Sequence, residues 1–142
     1  MSWWQNLRDR LHAPALPLHL RRGQCGERAA RRHLQRAGLK FLTANYRTPD
    51  GEIDLVFRDG DCLVFVEVKT RSSEDWVRPA AAVDARKRRR LTLAALDYLK
   101  RLGHPPIRMR FDIVEVLLQD DRPRAVRHLP NAFTLTPPFR YG

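Results

Sequence analysis

The chain has 142 residues, 43% of them hydrophobic and 30% charged, a balance that indicates a globular protein with its own core and excludes a disordered chain. Its 27 lysines and arginines outnumber 16 acidic residues, and the resulting net charge of +11 favours an anionic partner, nucleic acid first. The sequence has no apolar run of about eighteen residues, no signal-peptide pattern and too few cysteines for a disulfide framework, so we expect a cytoplasmic protein with no membrane partner.

Three segments are predicted along the chain. Residues 1–22 contain Pro14 and Pro17 and show little periodicity, so they are expected to form a loosely ordered tail, with a short helix from Trp3 to Leu11 at most. Residues 23–133 carry the hydrophobic patterning of one domain. Residues 134–142 are expected to trail from that domain as a C-terminal tail.

A first helix is predicted from Gln24 to Ala37, with Gly38 as its C-terminal stop. Ala30 and Leu34 recur at helical spacing on the core-facing stripe, and Glu27 lies on the same stripe at its N-terminal end. This acid either interacts favourably with the positive end of the helix or belongs to a metal-binding patch. The sequence leaves both interpretations open.

A strand is predicted from Leu39 to Tyr46, and a turn rich in Pro, Asp and Gly follows it. Two runs of β-forming residues come next, Glu52–Arg58 and Cys62–Arg71, separated by Asp59-Gly60-Asp61. This pattern predicts an antiparallel hairpin. Three antiparallel strands therefore follow one another in a meander.

Alternation along the hairpin strands predicts two different faces. One face is wholly apolar and should be buried, and it carries Ile53, Leu55, Phe57, Cys62, Val64, Val66 and Val68. The other face has its apolar residues near the turn and its charges at the open end, where it carries Glu52, Asp54, Glu67 and Lys69.

The turn of the hairpin decides which of these charges meet. A type I′ turn at Asp59-Gly60 would set Glu52 against Glu67. A type II′ turn at Gly60-Asp61 would set Asp54 against Glu67 instead. Both registers gather three carboxylates and one ammonium group in one small patch.

Such a patch is unfavourable unless something compensates it, because opposed like charges destabilise a strand pair and crowding raises the pKa of at least one carboxyl. A divalent cation is the simplest compensation, since Mg²⁺ is held by one or two carboxylates plus water and phosphate oxygens. The pattern predicts Mg²⁺ or Mn²⁺ on Asp54 and Glu67, with Lys69 beside it to position a water or steady phosphate charge. The alternative is a cross-strand ion pair between Glu52 and Lys69 with no metal.

Residues 72–79 are polar and irregular and should rim this patch, with Trp76 either stacking on a base or pinning the loop to its own domain. A long helix is predicted from Ala85 to Leu102, with Asp84 as its N-cap. Residues 86–90 are all basic and lie in its first turns, where they oppose the helix macrodipole. That placement is favourable only if phosphates bind there.

Ile107 to Leu118 predicts a long strand covered on both faces, interrupted by Asp112, which a neighbouring arginine is expected to pair. A strand, a helix and a strand in succession predict a right-handed crossover with parallel pairing. A short edge strand from Ala125 to Leu129 is expected to close the sheet. The sequence has no G-x-S-x-G, Walker A or G-x-G-x-x-G motif, so hydrolase-triad and nucleotide-binding functions have no support.

A helix with Glu27, a strand with Asp54, a strand with Glu67-x-Lys69, a helix and a strand follow in an order that resembles the PD-(D/E)xK nuclease superfamily. Within it, the chain is similar to the YraN family of uncharacterised bacterial proteins, which resemble archaeal Holliday junction resolvases. The matching blocks span most of residues 24–133 and are Gly26-Glu27, Asn45-Tyr46-Arg47, Gly51-Glu52-Ile53-Asp54, Phe65-Val66-Glu67-Val68-Lys69-Thr70-Arg71, Arg110-Phe111-Asp112 and Asn131-Ala132-Phe133.

The resemblance implies a restriction-endonuclease-like α/β fold for residues 23–133, with three layers and helices flanking a mixed sheet. It also implies that Asp54 and Glu67 bind Mg²⁺, that Lys69 assists the attacking water, and that Glu27 corresponds to the acid of the first helix. Ile53 stands where the superfamily name has Pro. Resolvases of this kind act as dimers, so the resemblance implies a homodimer.

The expected function is therefore a metal-dependent endonuclease that hydrolyses phosphodiester bonds in DNA, including branched or structured DNA. The expected catalytic residues are Asp54, Glu67, Lys69 and Glu52, and the expected metal ligands are Asp54, Glu67 and Glu27. The cations expected to contact nucleic acid are Arg28, Arg47, Arg71, Arg86, Lys87 and Arg90. The alternatives are a non-catalytic nucleic-acid-binding module with the same fold, and a basic scaffold for RNA or an acidic protein.

Overall fold

The structure, a computed structural model, describes residues 17–72, 76 and 83–142. In these ranges the chain forms helix α1 (Leu18–Arg36), strands β1 (Lys40–Arg47), β2 (Glu52–Asp59) and β3 (Cys62–Ser72), helix α2 (Ala85–Arg101), and strands β4 (Arg108–Gln119) and β5 (Arg122–Phe133). The helix predicted from Trp3 to Leu11 and most of the loop predicted at residues 72–79 lie outside the described residues.

The strands form one mixed sheet in the order β1-β2-β3-β4-β5. Neighbouring strands are antiparallel except β3 and β4, which are parallel because α2 carries the chain back between them. Helix α1 packs on one face of the sheet and α2 on the other. The predicted α/β class, with three layers, an antiparallel meander and a parallel crossover, is confirmed and is compatible with a restriction-endonuclease-like fold.

The two helices differ in how well their ends were predicted. Helix α2 is capped by Asp84 as expected, because Asp84 Oδ1 accepts a hydrogen bond from the Lys87 N–H at 2.8 Å. Helix α1 begins at Leu18, well before its predicted start. Its first turns make a tertiary contact, since Arg22 Nε lies 2.6 Å from Asp121 Oδ1 in the turn between β4 and β5. Neither described helix is long and apolar enough to cross a membrane.

The β2–β3 hairpin turns at Gly60-Asp61. Asp59 pairs with Cys62, so the two residues between them form the turn, and Gly60 takes the positive φ, +58°, that a type II′ turn requires. The alternative turn at Asp59-Gly60 is therefore wrong. Continued beyond the last paired residues, the same register sets Asp54 against Glu67 at the open end of the hairpin.

Strands β1 and β2 kink together, and the kink changes the predicted face pattern. Asn45 takes a left-handed φ of +53°, and the β1–β2 pairing is interrupted at Asn45 and Asp54. Leu55, between the kink and the β2–β3 turn, packs toward α1, whereas Ile53, on the other side of the kink, packs toward α2. The prediction that Ile53 shares a face with Leu55 is therefore wrong, because strict alternation stops at Asp54.

Strand β5 is longer than predicted and pairs with β4 along most of its length. Asp112 of β4 is fully buried, with Arg110 Nε at 3.0 Å, His128 Nε2 at 2.7 Å and the Asn131 N–H donating at 2.9 Å. The expected pairing with a neighbouring arginine is confirmed. Burial alone would raise the pKa of Asp112, but these contacts outweigh it and hold that pKa below its usual value.

Two glycines of α1 offer a matched test of how closely this helix packs on the sheet. A Cβ added at Gly26 would lie 2.1 Å from Thr70 Oγ1, whereas one added at Gly23 would meet nothing within 4 Å. We expect Gly26→Ala to lower the free energy of unfolding by about 1 to 3 kcal/mol through overpacking. Gly23→Ala should raise it by up to about 1 kcal/mol, the advantage of alanine over glycine inside a helix. Urea unfolding measures both, and equal effects would contradict the close packing.

Candidate functional site

Asp54 lies at the kink of β2 and is held there by the backbone of β3. The Val68 N–H donates a hydrogen bond to Asp54 Oδ2 at 2.8 Å, in the position that a β2 carbonyl would occupy in an unbroken ladder. Burial of the carboxyl, followed by repulsion from Glu67, raises the pKa of Asp54 to about 8. Glu27 adds to the increase, while Lys87 and the Val68 bond oppose it. The folded chain therefore holds a proton on Asp54 more tightly than the unfolded chain does.

Glu67 lies beside Asp54 on β3 and is buried, with 7% of its surface exposed. Its partner is Lys87 from the first turn of α2, whose Nζ lies 2.9 Å from Glu67 Oε1. Burial alone would lower the pKa of Lys87, but the bond to Glu67 outweighs it and raises that pKa. The lysine therefore remains charged and compensates one of the two crowded carboxylates.

Lys69 follows Glu67 by two residues, so strand alternation places both side chains on the α2 side of the sheet. It is partly buried and lies in register with Glu115 of β4. Glu52 lies at the rim, where Arg47 Nε is 3.7 Å from Glu52 Oε1. The described contact of Glu52 is therefore with β1 rather than with Lys69.

Glu27 reaches the same region from α1. Burial raises the pKa of Glu27 and a hydrogen bond from the Asn45 side chain opposes this, while Glu52 and Glu67 raise it further. A pocket of about 230 Å³ adjoins it, lined by Gln24, Glu27, Arg28, Arg31, Ala44, Asn45 and Leu55. Glu27 is thus tied to Asn45, whose left-handed conformation makes the kink. We call Glu27, Glu52, Asp54 and Glu67 the acidic cluster.

Basic residues surround the acidic cluster. Gly51 packs so closely on α2 that a Cβ there would lie 2.9 Å from the carbonyl oxygen of Arg90. This close approach brings the basic first turns of α2 against the start of β2. Five of the six predicted nucleic-acid contacts are exposed, namely Arg28, Arg47, Arg86, Lys87 and Arg90, and Arg71 is partly buried.

The described residues contain no group of three or more His, Cys, Asp or Glu side chains placed to hold a metal ion. The oxygen donors that stand together are the carboxylates of Asp54 and Glu67. Among the described residues only the Val68 N–H donates a hydrogen bond to Asp54, and it uses Oδ2. A cation binding both carboxylates would relieve the repulsion between them and would compete with Lys87 for Glu67.

Two features of this region escaped the sequence analysis. Lys87 was expected to contact phosphate on the surface, and its contact with Glu67 depends on how α2 docks, which no local pattern shows. Glu115 was not singled out although it is fully buried. A charged residue inside the apolar run of β4 could have indicated it, because buried acids are rare unless they are paired. Trp76 contacts β5, where Arg127 Nη2 donates a hydrogen bond to the Trp76 carbonyl at 2.7 Å.

Comparison with known proteins places this region in a family. Residues 26–116, which include the acidic cluster and all of α2, match the uncharacterised protein family UPF0102. A UPF0102 protein of Solibacter usitatus is 50% identical over 113 residues, covering 78% of this chain and 84% of that protein. One of Symbiobacterium thermophilum is 46% identical over 111 residues (78% and 94%), and one of Pelotomaculum thermopropionicum is 41% identical over 112 residues (78% and 93%).

The raised pKa of Asp54 makes the stability of the metal-free protein depend on pH. The folded chain binds this proton more tightly than the unfolded chain, so the free energy of unfolding falls as pH rises from the usual 3.8 to about 8. We expect Asp54→Asn, which stays neutral, to raise the free energy of unfolding by about 1 to 3 kcal/mol near pH 8.5 and by less near pH 5.5. Urea unfolding in EDTA measures this difference.

Asp50→Asn is the matched control, because Asp50 is exposed in the turn before β2. It should leave the pH dependence of stability unchanged. An Asp54→Asn protein with the same pH dependence as the wild type would contradict the burial and crowding of this carboxyl.

Proposed function

The chain belongs to the uncharacterised protein family UPF0102, and we propose that it is a metal-dependent nuclease that hydrolyses phosphodiester bonds in DNA, including branched or otherwise structured DNA. One observation carries this proposal: Asp54 is partly buried at a kink against the buried Glu67, where its pKa is raised to about 8. Folding alone gains nothing from crowding two acids. A cation that binds both carboxylates would turn this unfavourable arrangement into a binding site.

Mg²⁺ or Mn²⁺ fits the donor atoms. Mg²⁺ is bound through one or two carboxylates, with waters and substrate phosphate oxygens completing its shell, rather than by an all-protein cage. Asp54 and Glu67 supply two such carboxylates, and Glu27 adds negative charge from α1. When bound, the cation supplies charge to offset the phosphate and lowers the pKa of an attacking water.

Lys69 is proposed to act on the phosphate. It lies on the same face of β3 as Glu67 and two residues from it, so its ammonium group belongs to the same end of the sheet. In this position it would hold a water for attack or neutralise the charge that develops on the phosphoryl oxygens. Glu52, in contact with Arg47 at the rim, is proposed to have an accessory role.

DNA binding is proposed to use the basic first turns of α2. The helix N-terminus and the side chains of Arg86 and Arg90 together favour phosphate. Lys87 would move from Glu67 to a phosphate once a cation takes its place on the carboxylate. Its side chain is half exposed, which allows such a movement. Metal and DNA would then bind in a mutually supportive way.

A non-catalytic nucleic-acid-binding protein is the second candidate, and one contact favours it. Lys87 Nζ already neutralises Glu67 at 2.9 Å, so the acidic cluster is partly compensated without a metal. In that case DNA binding would be salt-sensitive, need no metal and yield no product.

Cleavage assays separate the two candidates. We expect the wild type to cut four-way junction, flap or duplex DNA in Mg²⁺ or Mn²⁺. Glu67→Gln and Lys69→Met should each lower the rate by about a hundredfold or more, since each removes a group that acts on the reacting phosphate. Lys100→Met removes an exposed lysine at the far end of α2 and should cut at the wild-type rate. Cleavage that survives in both site variants would sink the assignment, and binding without cleavage by the wild type would select the second candidate.

Metal affinity measured without DNA gives an independent test. In Mn²⁺ titration calorimetry, Asp54→Asn should abolish binding because a neutral amide replaces a carboxylate ligand. Lys87→Met should instead strengthen Mn²⁺ binding roughly two- to fivefold. It removes the partly exposed ion pair in which Lys87 competes with the metal for Glu67. Lys100→Met serves again as the control. Weaker Mn²⁺ binding by Lys87→Met would argue against Glu67 as a ligand.

A further inference from the structure

One strand beyond the acidic cluster, the sheet buries another acid. Glu115 of β4 is fully buried and lies in register with Lys69 of β3 and Arg127 of β5. Ile113, two residues earlier, packs on the α2 side, so alternation places Glu115 on the same side of the sheet as Glu67. From the spacing between strands and the rise per residue, the Cα atom of Glu115 lies about 8 Å from that of Glu67.

Two arginines flank this buried carboxylate. Arg71 Nε lies 3.6 Å from Glu115 Oε2, and Arg127 Nε lies 3.8 Å from Glu115 Oε1. About a third of each arginine side chain remains exposed, 31% for Arg71 and 27% for Arg127. The guanidinium of Arg127 also lies 3.7 Å from the centre of the Trp76 ring and is fixed against that face.

This arrangement is poorly explained as a device for stability. The two Nε–H groups are buried, and within the described part of the chain neither finds an acceptor at hydrogen-bonding distance. Buried donors without acceptors are unfavourable, and buried ion pairs contribute little to stability. What the arrangement does achieve is to hold two partly exposed guanidinium groups on either side of one carboxylate, with that of Arg127 also fixed by Trp76.

We propose that Arg71 and Arg127, set in place by Glu115, form a binding site for a backbone phosphate of DNA. Guanidinium groups present N–H donors in a planar geometry that matches the oxygens of a phosphate. Two arginines against one carboxylate leave an excess of positive charge, which suits an anionic phosphodiester. The inference rests on the proposed function for its location, since this phosphate would be next to the one cut at the acidic cluster.

A DNA-binding titration tests this site. The full chain is added to fluorescently labelled duplex or junction DNA in EDTA, and anisotropy measures the affinity at a series of salt concentrations. Arg127→Gln should weaken binding about tenfold and lower the slope of log affinity against log salt by about one, the loss of one phosphate contact. Arg124→Gln, an exposed arginine of the same strand, is the matched control and should lose less than about twofold.

Glu115→Gln gives the sharpest outcome. It makes the protein more positive, so a merely basic surface would bind DNA more tightly. The proposed site predicts weaker binding, by about three- to tenfold, because the arginines lose the group that orients them. Binding by Glu115→Gln that equals or exceeds the wild type would overturn the proposal, as would equal effects of Arg127→Gln and Arg124→Gln.

Two further points keep the result interpretable. If Glu115→Gln fails to fold by circular dichroism, the comparison of Arg127→Gln with Arg124→Gln decides alone. The binding assay contains no metal, so it tests the phosphate site independently of cleavage. If the variants bind as expected but the wild type never cuts DNA, the phosphate site stands and the nuclease proposal is wrong. If the wild type cuts DNA and Arg127→Gln binds DNA as tightly as the wild type, only the proposed phosphate site is wrong.

Discussion

The candidate site depends on the hydrogen bond from the Val68 N–H to Asp54 Oδ2. A backbone donor of the sheet binds a carboxylate instead of a carbonyl, which requires the neighbouring strands to kink at Asn45 and Asp54. The bond fixes the acid next to Glu67, where it is partly buried. A local break in strand pairing thus creates the charged site, and the regular strands on either side hold that break in place.

Much of the fold could be predicted because its determinants are local. Gly60 marks the hairpin turn and Asp84 caps the second helix, and each requires only a few neighbouring residues. The relation of Glu67 to Lys69 is local too, because residues two apart on a strand share a face. The presence of Asp54 on the adjoining strand followed from the hairpin, although its register remained open until the turn was known.

The remaining features depend on tertiary contacts that no short pattern shows. Ile53 changes face because β1 and β2 kink together, and Arg22, in the first turns of α1 that were not predicted, contacts a distant turn. The contact of Lys87 with Glu67 depends on how α2 docks on the sheet. Glu115 differs from these, because a lone acid in an apolar strand is visible in the sequence and only its two arginine neighbours are not.

The central position of β3 has a consequence for how the protein moves. This strand carries Glu67, Lys69 and Arg71. It pairs with β2 as far as Val66 and with β4 from Cys62 to Ser72, which includes all three charged residues. Strands at the middle of a sheet exchange their amide hydrogens last, whereas edges such as β1 and β5 fray first. Local opening of the edge strands should therefore leave Glu67, Lys69 and Arg71 in place. These side chains should lose their arrangement only when the whole domain unfolds.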